Sequence, residues 1–115
     1  MIGDELRAAM EGIQEDSRRK NNPAGYMLER ARELVKDFEI TIGNDAEVGM
    51  SVAGAAAGAP IRLRSISVSN PDMLIFDGID DNGAIVRLVQ HHSQMSVLLV
   101  AIPKLQEKPF RIGFT

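Results

Sequence analysis

The stretch Ser93 to Pro103, SQMSVLLVAIP, decides the fold, because it supports two readings. As a helix it is capped by Ser93, puts Met95, Leu98, Leu99 and Ile102 on one face, and stops just before Pro103. As a strand, VLLVAI has the β-propensity of a sheet element. We adopt the helix, which gives an α+β domain: N-terminal helices, a four-stranded antiparallel meander, a C-terminal helix and a short strand. The strand reading gives a small β-barrel with an N-terminal helix.

Upstream, Asp80-Asp81-Asn82-Gly83 carries Asn-Gly, a strong hairpin signal, because a type I′ turn needs two residues at positive φ. It joins the apolar run Met73–Asp77 (MLIFD), expected to be central and covered on both faces, to Ala84–Gln90 (AIVRLVQ). Ile61, Leu63, Ile66 and Val68 mark a strand ending at the turn Ser69-Asn70-Pro71-Asp72, and Glu47–Ala53 marks another. The small-residue tract Gly54–Pro60 (GAAAGAP) between them reads as a hairpin loop; it lacks the Lys-Ser/Thr and following helix of a phosphate loop. Downstream, Phe110–Phe114 (FRIGF) reads as a short strand.

Two helices precede the sheet. Asn22 caps and Pro23 opens a helix in which Met27, Ala31, Leu34, Val35, Phe38 and Ile42 recur at helical spacing, and Gly43-Asn44-Asp45 ends it. Residues 1–20 form a separate amphipathic helix with Asp4 as its expected N-cap and a thin stripe of Ile2, Leu6, Ala9, Met10 and Ile13. Residues 22–115 then make one α+β domain, and 115 residues suffice for a single core without staples.

Composition narrows the function classes. The chain has no cysteine, so disulfides, Cys-ligated zinc and thiol nucleophiles are excluded. A net charge of −3 argues against a dedicated duplex-binding protein. No run approaches the ~20 apolar residues of a membrane span, and the acidic N-terminus is wrong for a signal peptide. A cytoplasmic location with no membrane partner is therefore expected, in the host cell if the chain is phage-encoded.

Gln90, His91, His92, Ser93 and Gln94 form the densest polar cluster, suited to line a pocket for a polar ligand such as a nucleotide, or to cap and solvate the end of a hairpin. Adjacent histidines point apart in regular structure, and Asp77, Asp80 and Asp81 flank a turn that favours Asp anyway, so no metal and no cofactor is expected. Arg62 and Arg64 share one strand face; with Arg87 and Arg111 they make a candidate anion site, since the guanidinium fork matches phosphate and carboxylate. The alternative is solvated arginines paired with nearby Asp and Glu.

Taken in order, Asn22-Pro23-Ala24 with Tyr26-Met27 and Glu29-Arg30, Lys36-Asp37-Phe38-Glu39, Glu47-Val48-Gly49, Asn70-Pro71-Asp72, Phe76-Asp77-Gly78, Gln90-His91-His92-Ser93-Gln94 and Arg111-Ile112-Gly113-Phe114 form a pattern. It resembles an uncharacterised family of short bacterial and phage proteins classed only as a domain of unknown function, across Asn22 to Phe114. GAAAGAP departs from the bulkier residues of that family. The resemblance implies a compact α+β fold and a bacterial or phage cytosol, and brings no catalytic residues.

The expected function is therefore a non-catalytic binding protein, not an enzyme. A phage accessory protein that sequesters a nucleotide signal or inhibits a host antiviral defence protein fits this description. A structural self-assembly module is the alternative, and a small hydrolase using His91 or His92 ranks third. Apolar surplus in MLIFD and VLLVAI and the first helix's thin stripe predict a homo-oligomer, a dimer by prior frequency, with that helix on a neighbour's helix or sheet.

Overall fold

A computed structural model describes residues 2–52 and 60–114. Helix α1 (Ile2–Asn21) is followed, after Asn22 alone, by α2 (Pro23–Ile42). Then come β1 (Ala46–Val52), β2 (Ile61–Ser69), β3 (Met73–Ile79), β4 (Ile85–His91), a single 3₁₀ turn at His92–Gln94, β5 (Val97–Pro103) and β6 (Gly113–Phe114). The fold is α+β: two N-terminal helices and one curled sheet in the order β4-β3-β2-β1-β5, with β6 beside β2. The expected meander β1–β4 is present, each strand antiparallel to the next. The loop expected over Gly54–Pro60 lies, apart from Pro60, outside the described residues.

The expected helix over Ser93–Ile102 is corrected. Val97–Pro103 is a strand, paired along its whole length with β1 from Val52↔Val97 to Ala46↔Pro103. The physical reason lies in β1, which pairs with β2 only at Gly49↔Arg62 and Met50↔Ile61. A helix at 97–103 would leave the backbone donors and acceptors along the other edge of β1 without a protein partner. The strand does not close a barrel either, since β4 and β5 remain the two ends of the sheet.

β1 leaves β2 early, and β6 occupies the vacated edge. It pairs in parallel at Ser65↔Gly113 and Ile66↔Phe114, on the side of β2 opposite β3. The β2–β3 register shifts between Leu63 and Ser65, so the buried Leu63 and Ile66 stand three residues apart instead of two.

One face of the sheet carries the core. Val48, Met50, Leu63, Ile66, Leu74 and Phe76 are buried there against Val35 of α2 and Ile112. β3 is central, as expected, yet alternates: Leu74, Phe76 and Gly78 are buried while Met73, Ile75, Asp77 and Ile79 are half-covered on the other face. The periodicity of α2 is right, but Leu34 points outward at 62% exposure.

Turn chemistry accounts for the connections. Asn22 Oδ1 accepts from Gly25 N at 3.0 Å with Pro23 at the first helical position, and Gly43 ends α2 at φ 76°. Helix α1 starts at Ile2, so Asp4 lies in its first turn instead of capping it. The β3–β4 hairpin is not type I′, because only Gly83 has positive φ. Instead Gly83 N donates to Asp80 O and Asp80 N to Ala84 O, while Asp80 Oδ1 accepts from Asn82 N and Ala84 N. That is a three-residue loop built on Asp80, with Gly83 supplying the left-handed residue. The Asn70–Pro71 peptide is cis, and Pro71 O accepts from Ala24 N at 2.9 Å, tying the turn to the start of α2.

Candidate functional site

The opening between β1 and β2 holds Glu47, 2% exposed. Alternation along β1 sends Val48 and Met50 into the core and Glu47 the other way, toward the part of β2 that β1 no longer pairs. Its Oε1 accepts from Arg62 Nη1 at 2.6 Å and Arg64 Nη1 at 3.3 Å, and its Oε2 from Phe110 N at 3.2 Å. Burial pulls this carboxyl toward protonation. The Arg62 hydrogen bond, the Phe110 N–H and the charges of Arg64 and Arg62 outweigh it, holding the group below the usual carboxylate range.

Each arginine is fixed a second time. Arg62 Nη1 also donates to Pro103 O at 2.8 Å, and the Arg64 guanidinium sits 4.2 Å from the centroid of the Phe110 ring. Arg111 donates to Gly43 O at 2.9 Å and Ala46 O at 3.3 Å, bracing the α2–β1 connection. The next residue, Ile112, is buried in the core and donates its N–H to Glu39 Oε2 at 3.1 Å. Two buried carboxylates thus receive backbone N–H groups of the segment that leads into β6.

A cavity of about 370 Å³ opens here, lined by Glu47, Arg64, Leu105, Gln106, Lys108, Pro109, Phe110 and Arg111. Its lining carries three cations against one carboxylate, in a chain of net charge −3. Only Nη1 of Arg62 and Nη1 of Arg64 bond to protein among the described residues, so each fork keeps further donors.

The candidate arginines therefore split. Arg62, Arg64 and Arg111 gather around Glu47 and the cavity. Arg87 does not join them: it forms a cross-strand pair with Asp77, Nε–Oδ1 at 2.6 Å and Nη2–Oδ2 at 3.2 Å, on β3–β4. It fits the solvated alternative, with a 62% exposed side chain.

Gln90, His91, His92, Ser93 and Gln94 end β4 and make the 3₁₀ turn. His91 Nδ1 lies 2.8 Å from Ser93 Oγ and accepts from Ser93 N at 3.2 Å. The two imidazoles, expected to point apart, instead lie with centroids 4.4 Å apart and planes tilted by 34°, because the strand ends at His91 and the 3₁₀ turn begins at His92. The capping side chain is His91, not Ser93. Gln90 Oε1 is buried without a hydrogen-bond partner among the described residues. None of the five lines the arginine cavity. Among the described residues no three His, Asp or Glu side chains are grouped to hold a metal.

Sequence reasoning missed Glu47, Phe110 and Lys108. A carboxylate at the start of an otherwise apolar strand was the available signal for Glu47. Phe110 and Lys108 reach the site only because the chain returns past β1, which no local pattern encodes.

The chain belongs to the DUF6173 family of unknown function, which matches residues 19–115. Helix α1 lies almost wholly outside the matched region. No curated protein and no solved structure matches the chain.

Proposed function

For a chain whose family carries no assigned activity, we propose a non-catalytic binding role, with an anionic small molecule held in the cavity beside Glu47. The observation that carries this reading is the surplus of positive charge there. Glu47 anchors Arg64 at one nitrogen, and Lys108 and Arg111 line the same cavity. Guanidinium forks fixed by packing and ion pairing meet a phosphate or carboxylate at little ordering cost. Phe110, 42% exposed, has Arg64 over its ring and aromatic surface left for a planar group, which favours nucleotides among phosphate compounds. Sequestering such a nucleotide is the form of the role that suits a small domain whose cavity carries fixed cations.

Thermal denaturation with inorganic phosphate, mononucleotides and cyclic nucleotides tests it. A ligand at ~100 times its dissociation constant adds about 2.7 kcal/mol, several degrees for a domain of this size. Lys108→Ala, at an exposed position, is expected to abolish the shift while keeping the unliganded melting temperature. If no anion raises the melting temperature, or if Lys108→Ala responds like the parent, the reading fails.

A further inference from the structure

The sheet ends at β5 in an open edge. This strand pairs with β1 on one side and, among the described residues, with no strand on the other. Lys104 N donates to Asp45 O at 3.2 Å, one step beyond the Ala46↔Pro103 pair. Antiparallel ladders bond at alternate residues. Leu98, Val100 and Ile102 therefore turn their backbone groups to β1, while Val97, Leu99, Ala101 and Pro103 turn theirs outward. Among the described residues the only protein group bonded on that outer edge is Arg62, which donates to Pro103 O.

Soluble chains blunt such edges with charged side chains, prolines or bulges. β5 has none before its final residue: VLLVAI is uncharged, and its register with β1 is unbroken. It is also apolar on both faces. Leu99 packs toward the core and shares an apolar groove with Leu34, which is 62% exposed. Leu98 projects from the opposite face and is 61% exposed. What covers this edge must supply main-chain donors and acceptors in extended form, with apolar side chains both above and below the sheet. An amphipathic strand satisfies one face only. The strand that meets every demand is β5 itself.

We propose that two copies of this chain join their β5 strands antiparallel across a twofold axis at Leu99, making one continuous sheet. In that register Leu99 faces Leu99 and Val97 faces Ala101, so every outward N–H meets a carbonyl of the other copy. Pro103, which has no N–H to give, falls outside the ladder, opposite Met95. Leu98 meets Val100 on one face, and the exposed Leu34 of each copy lies beside the Leu99 pair on the other. No like charges are opposed: Lys104, 3.5 Å from its own Asp45, stands across from Gln94. β4, at the other end of the sheet, is the poorer candidate because it carries Arg87. Joining β4 to β5 would also repeat without closing, whereas β5 on β5 closes as a dimer.

The chain contains no cysteine, so crosslinks read the register directly. Leu98→Cys chains are mixed with Val100→Cys chains and oxidised. Facing residues of a non-hydrogen-bonded pair lie about 4.5 Å apart at Cα, within disulfide reach, whereas like residues stand about 7–8 Å apart on the diagonal. The expected product joins one chain of each kind, in preference to like with like. The parent sediments as a dimer. Leu98→Lys/Ala101→Lys, which charges both faces of the edge at exposed positions, sediments as a monomer, and circular dichroism checks that each variant keeps the parent's fold. Three results overturn the proposal. One is a parent monomer at the concentrations used for crosslinking. Another is a dimer that the double lysine variant leaves intact. The last is preferred crosslinking of Val100→Cys with itself, which moves the axis from Leu99 to Val100.

Discussion

Arg62 reaches the buried carboxylate of Glu47 at 2.6 Å and spends the same nitrogen on Pro103 O, so one guanidinium joins β2 to the start of β1 and the end of β5. Removing the carboxylate leaves Arg62, Arg64 and the Phe110 N–H short of an acceptor in a site with limited water. Glu47→Ala is expected to cost about 2–4 kcal/mol, toward the lower end of a broken buried pair because both arginine side chains keep some exposure. Glu47→Gln keeps the shape and one acceptor and should cost roughly half as much. Urea denaturation of both variants checks the order.

The same carboxylate fixes a pH dependence. Its folded pKa is depressed, so the folded state binds fewer protons than the unfolded chain, where a glutamate titrates near ~4.3. The stabilisation is fully present above that value and is lost as pH falls through the lower folded value. Melting temperatures of the parent and Glu47→Gln, taken from pH 7 to pH 3, should differ most at neutral pH and converge below about pH 4. A gap that stays constant through that window would show that Glu47 does not supply the acid sensitivity.

Gly78 faces the backbone of β2 so closely that a β-carbon there would overlap the carbonyl oxygen of Arg62 and crowd the Ile61 side chain. The obstacle is backbone in the middle of a paired sheet, and it cannot rotate away. Gly78→Ala is expected to destabilise by about 1–3 kcal/mol despite the better strand propensity of alanine. Thermal unfolding measures it. Because the shifted β2–β3 register sits beside this contact, the Glu47–Arg62 pair should loosen too, and the acid sensitivity of the variant should be smaller.

Phe76 and Ile85 lie on adjacent strands and should behave oppositely. Phe76 is 2% exposed in the centre of the core, and Phe76→Ala is expected to cost about 3–5 kcal/mol. Ile85 is 88% exposed at the sheet edge, and Ile85→Ala should stay within about 0.5 kcal/mol. Chemical denaturation of the two variants measures the contrast.

Local chemistry carried what was legible in the sequence. Asn22-Pro23 fixed the start of α2, Asp80 to Gly83 the hairpin, and alternation the four meander strands, because each signal acts within a few residues. The stretch VLLVAIP was misread because its local pattern fits both helix and strand, and the deciding demand, the second edge of β1, lies far away in sequence. The site divided along the same line. Arg62 and Arg64 could be placed on one strand face, whereas Glu47 and Phe110 meet them only through a long-range return of the chain. The Gln90–Gln94 cluster drew notice for its density of polar groups, and within it His91 is occupied by its own neighbour Ser93.

The vacated edge of β2, filled by β6, also has a kinetic meaning. β2, β3 and β4 are joined by short turns and can pair quickly, since closing small loops costs little entropy. The Phe110–Glu47 and Ile112–Glu39 bonds span 63 and 73 residues, so the core is sealed by contacts among the slowest to form. Until they do, β2 presents an unpaired edge at Ser65 and Ile66, beside the apolar side chains of the core. Folding yield, more than the stability of the finished molecule, is where changes in residues 104–112 should first be felt.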